Sequence, residues 1–320
     1  MVILKSVDMR YVAMGVSLVV AVLMLLGKMA AYWLTGSYAI LSDAAESVVH
    51  LLATGFAAFS LWYSTQLPDR LHPYGHGKIA YFSAGFEGAL IGAAALSVFY
   101  LAGHSLVYGV VLGPLGAGLL ITFVLAVINA LLGSFLVFVG KRYHSIVLVA
   151  NGKNVLSDMW TSFGVVLGVG LVWLTGWKWL DPLVALIMAC NISITAYGLL
   201  KKASQGLLDR ACPENTVLLQ KCLDEQIQSG CIKSYHQLRH RQAENKLWIE
   251  FHALVDRSLS VEEAHRRITV AESAMRSLFP DFQVYITSHM EPGDHKGAHP
   301  LEYDEGVDAL VADEDRCNLK

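Results

Sequence analysis

Charge is what this chain has least of. Asp, Glu, Lys and Arg make up 16% of its 320 residues, hydrophobic residues make up 54%, and the mean hydropathy is +0.46. So apolar a composition excludes an ordinary soluble domain throughout and points to a membrane protein with a soluble appendage. A basic stripe is missing as well, and the formal net charge is −3, so nothing suggests nucleic acid as a partner. The cysteines Cys190, Cys212, Cys222, Cys231 and Cys317 include no C-x-x-C pair, and four of them follow residue 206. They read as reduced, structural thiols on the cytosolic side. No internal repeat, low-complexity tract, H-E-x-x-H or G-x-S-x-G is found. The opening "MVILKSVDMR" puts charge ahead of an apolar run far longer than a signal peptide's core, with no clean cleavage signature, and reads as the lead-in to an uncleaved span.

Long hydrophobic runs are what the chain does have. A spanning helix needs about 20 mainly apolar residues, and six stretches qualify: Tyr11 to Leu34, Tyr38 to Tyr63, Ile79 to Gly103, Leu112 to Val139, Ile146 to Leu174 and Pro182 to Leu200. Lys5 and Arg10, Arg70 and Lys78, Lys141 and Arg142, and Lys201 and Lys202 fall on one side of the resulting topology, while the opposite loops hold little beyond Lys178. The positive-inside rule then predicts that both termini are cytoplasmic.

After about Gly206 the pattern changes. "CPENTVLLQKCLDEQIQSG" reads as a helix opened by Pro213 and closed by Gly230. "CIKSYHQLRHRQ" and "KLWIEFHALVD" alternate as strands, the second with Leu247, Ile249, Phe251, Ala253 and Val255 on one face. Ser260 and Glu263 form a capping-box signal for a helix striped by Val261, Ala264, Ile268, Ala271, Met275 and Leu278, and "FQVYITSHMEP" is a last strand. The αββαβ order predicts a small α+β domain with its helices on one sheet face. The expected division is a transmembrane domain over 1–206, a cytoplasmic domain over 207–292 and an acidic, mobile tail over 293–320.

The second and fifth spans carry residues that lipid does not favour. Glu46 and His50 stand one turn apart on one helix face, and Asn154 and Asp158 repeat that spacing. An ionisable group near the bilayer centre costs about 2.5 to 3.5 kcal/mol on insertion scales, so it usually faces a partner or an ion path. At about 1.5 Å rise per residue, Glu46 and Asp158 each lie roughly 12 Å below the outer boundary, and His50 and Asn154 roughly 18 Å. Glu46 can therefore meet Asp158, and His50 can meet Asn154. Four oxygen and nitrogen donors at mid-membrane describe a site for a divalent metal ion. A lone His or Asn in a span is ordinarily an interhelical hydrogen bond; two pairs in register favour the ion. Asp43, nearer the entrance, caps or hydrates it, and Lys153 and Lys28 read as snorkelling or acid-paired residues.

These phrases, "LTGSYAILSDAAESVVHLLA", "HPYGHGKIAYFSAGFEGAL", "NGKNVLSDMWTSFGVVLGVGLVWLTGWKWLDPLVAL", "LLDRA" and "HMEP", closely resemble those of the cation diffusion facilitators. That family consists of proton-coupled divalent metal exporters with six spans and a cytoplasmic metallochaperone-like domain. The resemblance runs from about Leu34 to Pro292 and implies a homodimer in a bacterial inner or plasma membrane. It makes Glu46, His50, Asn154 and Asp158 the transport site, although the family commonly has His where Asn154 stands and His or Asp where Glu46 stands. One His, two carboxylates and an amide still suit Zn²⁺. The set is harder than a two-His site, which makes Fe²⁺, Mn²⁺ and Co²⁺ more credible, with Cd²⁺ also admitted. His50, Glu46 and Asp158 must lose protons to bind metal, which suits proton-coupled exchange.

The resemblance further implies a loop metal site of Asp69, His72 and His76, and a structural pairing of Lys78 with Asp209 between packed protomers. In the soluble domain it implies a regulatory metal site of His236, His252, His265, His289 and Glu291. Strand alternation independently puts His289 and Glu291 on one sheet face, opposite Phe282, Val284 and Ile286. By the same spacing His240 lies on the strand face of His236 and is a lesser candidate, while His295 and His299 are loose ones in the tail. His104 and His144, in loops near the membrane, are assigned no role. Two other classes compete: an intramembrane metalloenzyme using the same ligands, which lacks an acid-base element to go with them, and a metal sensor whose membrane part is only an anchor.

Overall fold

The computed structural model describes residues 8–35, 38–108, 117–177 and 179–293, without the side chains of 28, 31–46, 49 and 117–122 and of several residues between 161 and 181. Six long helices come first: α1 (Met9–Thr35), α2 (Tyr38–Ser64), α3 (Ile79–Tyr108), α4 (Ala117–Arg142), α5 (Ile146–Thr175) and α6 (Leu180–Leu207). Among the described residues, stretches of α1, α3, α4 and α6 are long and apolar enough to cross a membrane by length and composition. The helices outrun the apolar stretches that announce them: α6 continues through Lys201 and Lys202 to Leu207, and α3 reaches Tyr108. Hydropathy marks only the lipid-immersed part, whereas helical hydrogen bonding carries on into water. His144 takes the left-handed position that stops α4, with Ser145 N–H bonded to the Gly140 carbonyl.

In lipid the helices gain nothing from the hydrophobic effect against one another, so close packing of small residues holds them. On α3, Gly85, Gly88 and Gly92 face Ala203, Leu199 and Ala196 of α6 in descending order, an antiparallel seam in which added Cβ atoms would come within 3.3, 3.1 and 3.8 Å of these side chains. On the α4–α5 seam a Cβ on Gly152 would lie 2.9 Å from the Gly133 carbonyl oxygen. Large apolar side chains such as Leu96, Phe138 and Ile194 point outward, as lipid-facing surface requires. Inside, Ala13, Leu61, Leu136 and Leu148 join α1, α2, α4 and α5 in one cluster, while Ala84, Ile91, Ala150 and Leu199 join α3, α5 and α6 in another. Asn151 of α5 donates to Ser17 Oγ of α1 at 3.2 Å.

The chain divides into two compact units, Met1–Leu207 and Leu208–Lys320. In the second, α7 (Pro213–Gln228), β1 (Ser234–Ala243), β2 (Lys246–Val255), α8 (Val261–Ser277) and β3 (Gln283–Pro292) follow in order. The sheet is ordered β1-β2-β3, with β1 antiparallel and β3 parallel to β2, so α8 is the crossover that parallel pairing demands. Pro213 opens α7, and Gly230, at φ +74°, takes the left-handed turn after it. Leu247, Ile249, Phe251, Ala253 and Val255 alternate inward and meet Leu219 and Leu223 of α7 and Ile268 and Met275 of α8. At the start of α8, Ser260 Oγ accepts the Glu263 N–H at 3.2 Å. The other arm of the box is not made, because Glu263 turns its carboxylate to Arg266 and Arg267 instead. The acidic tail and its His295 and His299 lie outside the described residues.

Candidate metal centres

Between α2 and α5, His50 Nε2 lies 3.4 Å from Asp158 Oδ1. One turn away on α5, Asn154 is buried. The expected pairing was His50 with Asn154, yet His50 approaches the acid, a shift of about one turn along α5. Helices whose ends are not flush with the membrane faces shift the register in this way. The side chains of Glu46, Asp43 and Lys28 lie outside the described residues. The neighbouring α3 supplies a group the sequence reading passed over: Glu87, fully buried, interacts electrostatically with His50 and Asp158 and approaches Asn154 without completing a hydrogen bond. A signal for it existed, since Glu87 and Asn154 each stand eight residues beyond the start of their helices at Ile79 and Ile146.

The loop after α2 gathers a second cluster. Asp69 Oδ1 lies 3.1 Å from His72 Nδ1 and Asp69 Oδ2 lies 3.4 Å from His76 Nε2, and one donor atom from each of the three residues falls within 4.8 Å of the others. Asp69 anchors the turn by accepting the backbone N–H groups of His72 and Leu71 at 2.6 and 2.8 Å. The bond from the His72 backbone leads the effects that hold its carboxyl below the usual range. His76 is buried with Nδ1 unbonded among the described residues. Paired with an ionised carboxylate, the two imidazoles make a ligand set suited to a borderline cation such as Zn²⁺.

The third cluster sits on the sheet. His236 and His252 are cross-strand partners of β1 and β2, and His252 is in turn the register partner of His289 on β3. Glu291, two residues along β3, is buried beneath them. Its Oε1 lies 2.6 Å from His252 Nδ1 and 3.7 Å from His289 Nε2, and its Oε2 lies 3.1 Å from His236 Nε2. Burial leads the effects that push the His252 pKa down, which favours the neutral imidazole a metal needs. His265 stands exposed on α8, and within one chain it is not brought into this cluster.

His240 is not brought there either. An irregularity in the β1–β2 pairing falls between His236 and Arg239, with Gln237 at φ 51°. One extra residue reverses the side-chain alternation beyond it. His240 therefore turns inward, buried, with Nε2 at 2.8 Å from Thr216 Oγ1 of α7. Burial pushes its pKa down to about 4. As for the expected interlock, Lys78 Nζ donates to the Leu207 carbonyl at 3.4 Å within the first unit, and Asp209 accepts from Arg241 at 3.4 Å within the second.

Polar donors converging among lipid-facing helices, with two His and carboxylate clusters outside them, define an integral membrane protein built to handle cations. The family model of the cation efflux transmembrane domain matches residues 14–208, and that of the cation efflux protein cytoplasmic domain matches residues 227–293. The chain belongs to this family, the cation diffusion facilitators, whose members are transporters and not enzymes. It is 35% identical to the uncharacterized transporter sll1263 of Synechocystis over 86% of this chain and 89% of that protein. It is 31% identical to the cation-efflux pump FieF of Escherichia coli O1:K1 over 85% of this chain and 89% of that one. A solved structure of CzrB in its zinc form shares 32% identity, covering 28% of this chain and 96% of that one, at a TM-score of 0.25, too low to carry an argument about the fold.

Proposed function

We propose that this member of the family exports a divalent metal cation in exchange for protons, taking the ion between α2 and α5 and passing it across by alternating access. The observation that carries the reading is the approach of His50 to Asp158 at 3.4 Å between two membrane helices, beside buried Asn154. A structural helix contact needs one hydrogen bond; a His, a carboxylate and an amide at one level, with Glu46 on the same helix face as His50, offer a cation several donors at once. His50, Glu46 and Asp158 release protons when the ion arrives and recover them when it leaves, which couples the two fluxes. Zn²⁺ is the first cargo by donor type, with Fe²⁺, Mn²⁺, Co²⁺ and Cd²⁺ behind it. FieF, the relative from Escherichia coli, bears the name of a cation-efflux pump.

The protein works as a homodimer in the bacterial inner or plasma membrane with both termini in the cytoplasm, an orientation that rests on the loop charges. The sheet cluster of His236, His252, His289 and Glu291 is the regulatory metal site, without His265 of the same chain, and Asp69, His72 and His76 form the loop site. Metal there promotes transport only in so far as it binds the transporting state more tightly. Lys78 and Asp209 are the charge pair that links the packed protomers.

The test is metal flux into proteoliposomes under an imposed pH gradient, comparing Zn²⁺, Fe²⁺, Mn²⁺, Co²⁺ and Cd²⁺ for wild type and Asp158→Ala. Wild-type flux that responds to the gradient and falls to background in the variant supports the reading. Equal flux in both rules out the α2–α5 site. One observation favours a second reading, a membrane-anchored metal sensor: the sheet cluster is the most closely assembled of the three. Metal binding by folded wild type with no flux of any ion would select it.

A further inference from the structure

We infer that Glu87, on α3, is a ligand of the transported cation, so that the site draws donors from three helices and its preference moves away from the Zn²⁺ that the α2 and α5 donors alone put first, toward oxygen-preferring divalent ions such as Mn²⁺ and Fe²⁺. The inference rests on the transport-site reading above and extends it to a residue outside the α2 and α5 pairs.

Burial and satisfaction carry the argument. Glu87 is 0% exposed, and both of its carboxylate oxygens lack a hydrogen-bond partner among the described residues. A carboxylate kept inside a protein for structure is ordinarily paired or fully hydrogen-bonded, because its desolvation is otherwise uncompensated. Here the groups acting on it are His50, Asp158 and Asn154, the described members of the candidate site. Lys153 is not among the groups that act on Glu87.

The helix geometry explains why Glu87 faces this way. Gly85, Gly88 and Gly92 fix one side of α3 against α6. At about 100° per residue, position 87 falls well away from that seam and on the side of position 83, one turn earlier. Ser83 Oγ is likewise buried without a hydrogen-bond partner among the described residues. Two orphaned polar groups on one face of a membrane helix, one of them acted on by a His, an Asp and an Asn, have a common explanation if that face lines the ion's position. A polar residue placed for helix packing alone would hydrogen-bond across the seam.

The added carboxylate changes what the site prefers. His50, Asp158 and Asn154 supply one nitrogen and oxygens. A glutamate, able to bind through one or both oxygens, raises the oxygen count and the negative charge. Carboxylate and carbonyl oxygen suit Mn²⁺ better than they suit thiolate- and imidazole-seeking ions, and a higher coordination number becomes reachable.

The experiment compares wild type, Glu87→Gln, Glu87→Asp and Asp158→Ala in proteoliposomes, with initial rates against Mn²⁺, anaerobic Fe²⁺ and Zn²⁺ concentration and melting temperature in detergent as the folding check. Glu87→Gln keeps the shape and removes the charge. It should raise the half-saturating concentration of Mn²⁺ and Fe²⁺ by about tenfold, raise that of Zn²⁺ less, and so alter the metal ranking. Its melting temperature should not fall, because neither carboxylate oxygen has a hydrogen-bond partner among the described residues to lose. Should Glu87→Gln fail to fold, Glu87→Asp retains the charge but withdraws it by one methylene, and the same change of ranking is expected. If Asp158→Ala is inactive while the folded Glu87 variants keep wild-type half-saturation and ranking, Glu87 is not a ligand although the transport site stands. Wild-type flux in Asp158→Ala would overturn the site and this inference together.

Discussion

Two buried glutamates answer the same physical problem in opposite ways. In the cytoplasmic unit Glu291 meets His252 at 2.6 Å and His236 at 3.1 Å, so its oxygens are hydrogen-bonded and its geometry held before any ion arrives. In the membrane unit Glu87 is buried at least as deeply, yet its oxygens have no hydrogen-bond partner among the described residues. The first arrangement suits a site that keeps an ion, because the ligands need little rearrangement to bind it. The second suits a site that takes an ion and gives it up. An unsatisfied buried group costs about 1–3 kcal/mol, and more when charged, and a cation relieves that cost only while it is present. The pairs around Glu291 also bring a proton dependence: a metal must displace whatever protons the imidazoles hold in their bonds to it.

Mutation can break this contrast. Asp158→Ala is expected to abolish flux. Glu291→Gln should weaken metal binding by the full-length protein in detergent by about 10- to 100-fold, measured by equilibrium dialysis, and should lower flux without eliminating it. Complete loss of transport in Glu291→Gln would mean that the sheet cluster lies on the transport path and that the two glutamates do not divide the labour.

Acid sharpens the contrast from another side. The unfolded chain takes a proton on His240 near pH 6.5, whereas the folded domain refuses it until about pH 4 because the ring is buried. The unfolded state therefore binds more protons across that window, and stability is lost as pH falls through it, by an amount on the order of 3 kcal/mol once both forms are protonated. Denaturant unfolding of the cytoplasmic unit, followed by the fluorescence of Trp248 from pH 7 to 4, should show this decline. His240→Gln should flatten it while leaving metal binding intact, and a lost metal site in that variant would return His240 to the ligand list. The smallest effect belongs to Ser260→Ala, which removes one cap of α8 and should cost about 1 kcal/mol by the same measurement. Since only one arm of the capping box is made, Glu263→Gln should not add the loss of a second cap bond.

Much of this was legible from residue order. Apolar runs announced the helices, and the polar pairs at i, i+4 singled out α2 and α5, because lipid makes any charge conspicuous. Period-2 alternation placed the inward face of β2 correctly, from Leu247 to Val255. Three features stayed hidden for identifiable reasons. The face of His240 depended on an irregularity that no periodicity announces. Glu87 has a serine, Ser83, one turn away and not the second metal-ligating residue that made Glu46 and Asn154 noticeable. His265 shares a domain with the other histidines, but spacing along a chain says nothing about the distance between a helix surface and a sheet face.

The one-residue irregularity in β1 also bears on how reliably the chain folds. A strand paired along its whole length can slip by two residues and still present the same face, at modest cost. Slippage of β1 on β2 would instead displace the irregularity from its place between His236 and Arg239 and pull His240 away from Thr216. The defect thus acts as an index mark. It admits one alignment of His236 with His252, and the ligand spacing over Glu291 is copied accurately each time the protein is made.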